Sequence, residues 1–271
     1  MRKMSILYKI SISSLLIALY IILSRFVSIP YLFGLPFVKL SIASSVIGFA
    51  SLYLGPLFGL IVGTSGDIIG ALAFPQGEFN ILFTIAASLG GLMPALIYRF
   101  IRYTKAEDRF PFVLSSFLVI VPLAITLFIT LNESITYFNK TYIFYPRIKW
   151  TVSVVSWAVS LLFLMGVIFI RKKFKNSKLN KSYNIYIILS SIFITYVLFK
   201  APVSSLMFNI VYGIDFPIVF GVRLILAFIN AFVDSILILI ALGVSIRFNI
   251  IGAVSNNNRL IKKEVNGEKN G

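Results

Sequence analysis

Neither cysteine nor histidine occurs in the 271-residue sequence, and only nine residues are acidic against 25 that are basic. The missing cysteines exclude thiol nucleophiles and disulfides, and the missing histidines remove both the usual near-neutral proton relay and the common zinc ligand. No GxxxxGK[ST] phosphate loop is present, so any energy from ATP must be supplied by another chain. Long polar stretches are also absent. With 59% hydrophobic residues, 13% charged residues and a mean hydropathy of +0.96, the composition is that of an all-α integral membrane protein. Acid–base or metal catalysis has few groups to draw on, and no cofactor is implied.

What is present is a basic excess, +16 at pH 7. The basic residues lie at the ends of apolar runs rather than in an aromatic-interleaved patch, which speaks for membrane topology and against nucleic-acid binding. Eight spans are expected, at about 10–25, 37–53, 56–74, 81–101, 111–131, 150–170, 184–200 and 218–246. The N-terminal MRKMSILYK and its apolar run lack a small-residue cleavage pattern and read as a first, retained helix. With the N-terminus inside, 18 Lys and Arg fall in the cytoplasm and seven on or near the outer side, so both termini are cytoplasmic. The basic loop at 171–182 signals topology or attracts anionic lipid, the aromatic segment 134–150 suits an outer headgroup layer, and 201–217 reads as an outer connection that folds back as a lid. Residues 1–247 form one transmembrane domain, and 248–271 read as a disordered basic cytoplasmic tail.

The stretch GPLFGLIVGTSGDIIG at 55–70 carries Gly55, Gly59, Gly63, Gly66 and Gly70, spaced so that they share one helical stripe. Such a stripe lets helix backbones approach closely in lipid, which places the third span at the centre of the bundle. Asp67 adjoins it. A carboxylate at membrane depth is either functional or tied to a neighbouring cation or hydroxyl. The next segment, FPQGEFNILFT at 74–84, is a polar turn flanked by Phe74, Phe79 and Phe83, either a stacking platform for a flat ring or an interface belt.

Three separated pieces, LLIALYIILSRFVSI (15–29), the run from VKLSIASS to ALIY (38–98) and MFNIVYGIDFPIVFGVRL (207–224), resemble the substrate-binding S components of energy-coupling factor (ECF) vitamin transporters, the folate-specific type in particular. The resemblance covers about half of the chain and rests on the LSR after the first span together with the GPLxGxxxGxxxDxxG of the third. It implies a six-helix bundle in a bacterial plasma membrane that binds a vitamin in an outward-facing pocket. A membrane-embedded T component and two cytoplasmic ATPases would be its partners, and the subunit would topple in the membrane to deliver its ligand. Against that pattern, 105–182 reads as an inserted hairpin of two further spans. The AxxxA motif that the family often uses to dock the T component corresponds here to Ser14 and Ala18.

For a folate-like ligand the resemblance assigns Arg25 and Lys39 to the glutamate carboxylates; lipid snorkelling is the alternative for both. Asp67 would accept from the N–H edge of a pterin-like ring, Phe26, Phe74 and Phe83 would supply stacking walls, and Thr84 a small polar contact. Asn209, before a YG turn, suits either a heterocycle edge or a loop cap. Arg223 would reach a ligand carboxylate or Asp67, and Asp234 takes a structural or partner-facing role. Two other functions compete with this one: a stand-alone carrier exchanging ions through Asp67 and Asp234, or an S component for another vitamin such as pantothenate.

Overall fold

The computed structural model describes residues 5–28, 41–76, 80–103, 116, 118–120, 122–123, 126–127, 130–131, 134–137, 140–143, 146–174, 184–213 and 216–267. Helix α1 runs Ile6–Ile22 and continues as a π-helical turn over Leu23–Val27. Its first turn is capped by Ser5, whose side chain accepts from the Tyr8 N–H. Helices α2 (Ala43–Leu54) and α3 (Pro56–Ala73) are joined by Gly55 alone. That residue sits at φ 113°, a conformation closed to side-chain-bearing residues, and Pro56 then opens α3 where its missing N–H leaves no bond unmade. Helix α4 covers Ile81–Tyr103.

A short antiparallel ladder, β1 (Ser134–Tyr137) with β2 (Lys140–Ile143), pairs Ser134 with Ile143 and Tyr137 with Lys140. It interrupts an otherwise all-α architecture. Helix α5 (Pro146–Phe174) comes next, then α6 (Ile185–Ile194), a π-helical turn (Thr195–Lys200), α7 (Ala201–Tyr212) and α8 (Phe216–Gly267).

Six helical stretches among the described residues are long and apolar enough to cross a bilayer: Ile6–Val27, Pro56–Ala73, Ile81–Tyr103, Lys149–Gly166, Ile185–Tyr212 and Val219–Ile246. Together with the apolar α2 they make the chain a multi-pass membrane protein. The expected span 111–131 is described only in part. Its described residues are tied to α5 by Trp157 Nε1–H donating to Thr126 Oγ1 at 3.3 Å, by Lys149 Nζ to the Thr130 carbonyl at 3.3 Å, and by the Ser160 hydroxyl to the Leu118 carbonyl.

One expectation is corrected. Residues 201–212 are not a folded-back connection: they extend the span from 185, and the π-helical turn before them frees the geometry for Pro202, which has no N–H to return to the helix. The third span packs on α1, α2 and α4. An 18-residue window of Ile185–Tyr212 is 67% buried, against 33% for Pro56–Ala73, because α3 presents Leu57, Ile61, Ile69 and Leu72 outward. The final helix is described as far as Gly267.

The glycine stripe packs as its spacing implies, but it serves two neighbours in succession. A Cβ on Gly59 would meet the Gly91 carbonyl of α4, and one on Gly91 would meet the Gly59 carbonyl, so backbone lies on backbone there. Gly63 faces Ala87 in the same way, at 2.6 Å to its carbonyl oxygen. Further along, a Cβ on Gly66 would lie 2.5 Å from the Tyr20 ring of α1, and one on Gly70 would lie 3.1 Å from Arg25 Nε. The stripe therefore joins α3 to α4 at one end and gives room to α1 side chains at the other.

Candidate functional site

The site is built where α1 and α3 finish and α4 begins. The π-helical turn Leu23–Val27 carries Arg25. Two serine hydroxyls donate back to main-chain carbonyls there, Ser24 to Ile21 at 3.2 Å and Ser28 to Ser24 at 2.6 Å, offering the ladder an alternative partner where it widens. One extra residue in a turn rotates the side chains beyond it, and π-helical turns concentrate at functional positions for that reason. Arg25 is thereby directed at α3. Its Nη2 lies 3.6 Å from Asp67 Oδ1 and 3.5 Å from the Asp67 carbonyl, in the room left by Gly70. Asp67 Oδ2 accepts from the Thr84 hydroxyl at 2.8 Å, so both carboxylate oxygens are engaged within the chain.

This knot ties three helices through one ion pair whose side chains are 13% and 17% exposed. Arg25 Nε is buried and meets no hydrogen-bond acceptor among the described residues. Gln76 closes over the turn by donating from Nε2 to the Arg25 carbonyl at 2.6 Å. One step deeper the Thr64 and Ser88 hydroxyls bond to each other at 2.6 Å, which continues the polar seam between α3 and α4.

The aromatic residues form two groups rather than one wall. Phe26 and Phe74, both exposed, meet edge to face at 5.0 Å beside Arg25. Phe83 packs edge to face on Phe208 of α7 at 5.2 Å, and Phe208 stacks on Tyr212. Arg223 of α8 lies over the Phe208 ring at 4.7 Å, a cation–π arrangement, while the cation beside Asp67 is Arg25. Asn209 is exposed on α7, and its carbonyl accepts from the Gly213 N–H at 3.0 Å as the helix ends. Lys39 lies outside the described residues.

Ser14 and Ala18 are both exposed on α1, opposite the buried Ser13, Leu16 and Tyr20. The Ser11 and Ser14 hydroxyls donate to the Leu7 and Ile10 carbonyls at 3.0 and 3.1 Å, so this face presents small, internally satisfied side chains. Helix α1 packs on α2 and α3, whereas α5 packs on α8 and α6, with Gly166 of α5 set against the Phe232 ring.

Sequence reasoning missed a second knot. Tyr196 donates its hydroxyl proton to Asp234 Oδ2, and Lys200 Nζ donates to Tyr196 at 3.3 Å and to Ser44 of α2 at 2.6 Å. Asp234 is 1% exposed, so its role is internal and not partner-facing. The available signal was Lys200 itself, a lysine inside an apolar run. Ending the span at 200 made it look like a terminus.

Comparison with known proteins gives two matches. The folate transporter FolT of Clostridium novyi (strain NT) is 31% identical over 90 residues, 33% of this chain and 48% of the relative, so the chain spans about half the length of the curated relative it matches. No solved structure matches the chain. The family model described as ECF-type riboflavin transporter, S component, matches residues 4–162. That match takes in more than half of the sequence, including the whole Arg25–Asp67–Thr84 knot, and the chain accordingly belongs to the family of ECF-type riboflavin transporter S components.

Proposed function

We propose that this chain is the membrane-embedded, substrate-binding subunit of an ECF-type, ATP-driven vitamin importer of a bacterial plasma membrane, and that its ligand is folate-like. The family supports the class, and the name of the clostridial relative supports the vitamin. The single observation that favours an anionic ligand is Arg25: a guanidinium held on α3 by Asp67, with a buried Nε–H that has no acceptor among the described residues, beside two exposed aromatic rings. A ligand carboxylate supplies that acceptor. In this reading Asp67 and Thr84 set the angle of Arg25, and Phe26 and Phe74 flank the ligand's approach; Phe83, Asn209, Arg223 and Lys39 complete the surroundings. A neutral flavin is the second reading, favoured by the description of the family model.

Radiolabelled folate and riboflavin, titrated separately onto the detergent-purified chain, decide between them. Folate is expected to bind and riboflavin not. Arg25→Ala is expected to weaken folate binding at least tenfold, since a charge-assisted hydrogen bond contributes about 1.5–3 kcal/mol. Asp67→Asn is expected to weaken it less, because the guanidinium remains. Tight riboflavin binding that is indifferent to Arg25→Ala would replace the substrate and keep the family.

The T component docks, in this reading, on the Ser14/Ala18 face, with the two ATPases beneath it. In this reading 105–182 is an insertion in the family pattern, and its helix α5 packs on α8 and α6. Ala18→Trp is expected to abolish co-purification with T component and ATPases while leaving ligand affinity within about twofold. Lost affinity with intact assembly would reverse the assignment of the face.

A further inference from the structure

The Lys200 knot shares no residue with the Arg25–Asp67–Thr84 knot, yet its construction is that of a ligand contact. Lysine within a span ordinarily carries its ammonium along a flexible stem to the nearest headgroup. Lys200 turns inward instead, half-buried, with its Nζ on Ser44 and Tyr196 and 4.3 Å above the Tyr196 ring. The π-helical turn Thr195–Lys200 imposes that direction; removing its extra residue would rotate Lys200 by about 100° around the helix. The turn is sustained by Thr195 and Ser191, whose hydroxyls donate to the Ser191 and Ile188 carbonyls at 2.7 and 2.8 Å.

Two features of this place separate a ligand contact from a staple. First, the ammonium has three N–H donors, and its hydrogen-bond partners here are neutral hydroxyls; within 4 Å the ion pair among the described residues is Arg25–Asp67. The carboxylate of Asp234 is reached only through Tyr196, which accepts from Lys200 and donates to Asp234. Asp234 therefore orients Tyr196, and Tyr196 with Ser44 holds the ammonium. Second, Lys200 lies 15 residues after Ile185 and 12 before Tyr212, near the middle of its span, and Ser44 meets it there from the first turn of α2. Lys200 stands at that depth beside Gly90 of α4, whose Cβ would come 3.4 Å from Lys200 Cε, and Gly90 is six residues, or about 9 Å, further along α4 than Thr84.

We infer that Lys200 is the inner polar contact of the binding site and takes a carbonyl-type oxygen on the heteroaromatic ring of the ligand, while Arg25 takes the charged end nearer the opening. The inference rests on the reading of the chain as a substrate-binding subunit, but it does not depend on which ring-bearing vitamin is bound. Tyr196 and Asp234 are positioning residues for the ammonium.

Affinities of the purified chain for folate and for pteroate, which keeps the ring and lacks the glutamate, give the test. Lys200→Met is expected to lose at least tenfold for both ligands, and Arg25→Ala to lose for folate alone. Lys200→Met binding both like the wild type would overturn the inference and leave the functional reading standing, since Lys200 would then only join helices. Wild-type chain that binds neither folate nor riboflavin would overturn both. Should Lys200→Met fail to fold, acetic anhydride labelling of the wild type serves instead. Lys200 is expected to be acetylated in the free chain and protected by saturating folate, with the exposed Lys172 labelled equally in both. Equal labelling of Lys200 with and without ligand would overturn the inference.

Discussion

Gly59→Leu is expected to yield a chain that no longer purifies as a single monodisperse species, or that melts in detergent about 10 °C or more below the wild type. The cause is local and geometric. At Gly59 the atom facing a new Cβ is the carbonyl oxygen of Gly91, and beyond it lies the Ser51 backbone at 2.7 Å. Backbone cannot rotate aside as a long side chain does, so α3 and α4 must separate along the seam that also carries the Thr64–Ser88 and Asp67–Thr84 hydrogen bonds. Overpacking of this kind costs about 3 kcal/mol or more, and at roughly 2–4 °C per kcal/mol for a chain of this size the shift is large. Gly243→Ala is the control. Nothing lies within 4 Å of a Cβ there, and the substitution is expected to leave the melting temperature unchanged or slightly raised. A Gly59→Leu chain with wild-type melting would show that α3 and α4 do not meet at this point. Thermal unfolding followed by intrinsic tryptophan and tyrosine fluorescence reads both variants.

Asp234→Ala is expected to destabilise the chain by about 3–5 kcal/mol, the range for removing one partner of a buried charged set. Asp234 is 1% exposed and receives the Tyr196 hydroxyl, itself the acceptor for Lys200. Truncation leaves a buried hydroxyl without its acceptor and takes the nearest negative charge away from the ammonium. The double variant Asp234→Leu with Tyr196→Phe is expected to recover only the part of the loss that comes from the orphaned Tyr196 hydroxyl, because the Lys200 ammonium still lacks that acceptor and the nearby carboxylate. The same thermal unfolding, run on each single variant and on the pair, gives the coupling. Additive single losses would mean that Tyr196 and Asp234 act independently, which the geometry does not allow.

The glycine spacing of α3 was informative because helix periodicity converts sequence separation into a direction, and five small residues at intervals of three and four can only form a seam. It did not say which neighbours would use the seam. Its division between α4 at Gly59 and Gly63 and α1 at Gly66 and Gly70 comes from where those helices cross. Arg25 and Asp67 were visible as charges in apolar surroundings, yet their pairing links residues 42 positions apart, and no local pattern encodes that separation. The aromatic residues were legible as a class and not as an arrangement: Phe83 is adjacent to Thr84 in the chain but packs on Phe208 of α7, while Phe26 and Phe74 form a separate pair.

Lys200 shows most directly where periodicity stops being a guide. Arg25 and Lys200, two of the cations that turn inward, stand on π-helical turns, where the 3.6-residue repeat is broken and faces assigned by counting are wrong by about a quarter turn. The same break allowed Pro202 to be absorbed into a continuing span, where sequence alone placed a connection.

By itself the sequence determined that this chain lives in a membrane, that α3 carries a small-residue seam, and that a few charges stand at depth, because composition and helical repeat act residue by residue on a local scale. Only the tertiary structure decided which charges meet, which rings share a face and which helix is enclosed. Those choices depend on helix crossings and on breaks in helical register, which bring together groups that no interval along the chain relates.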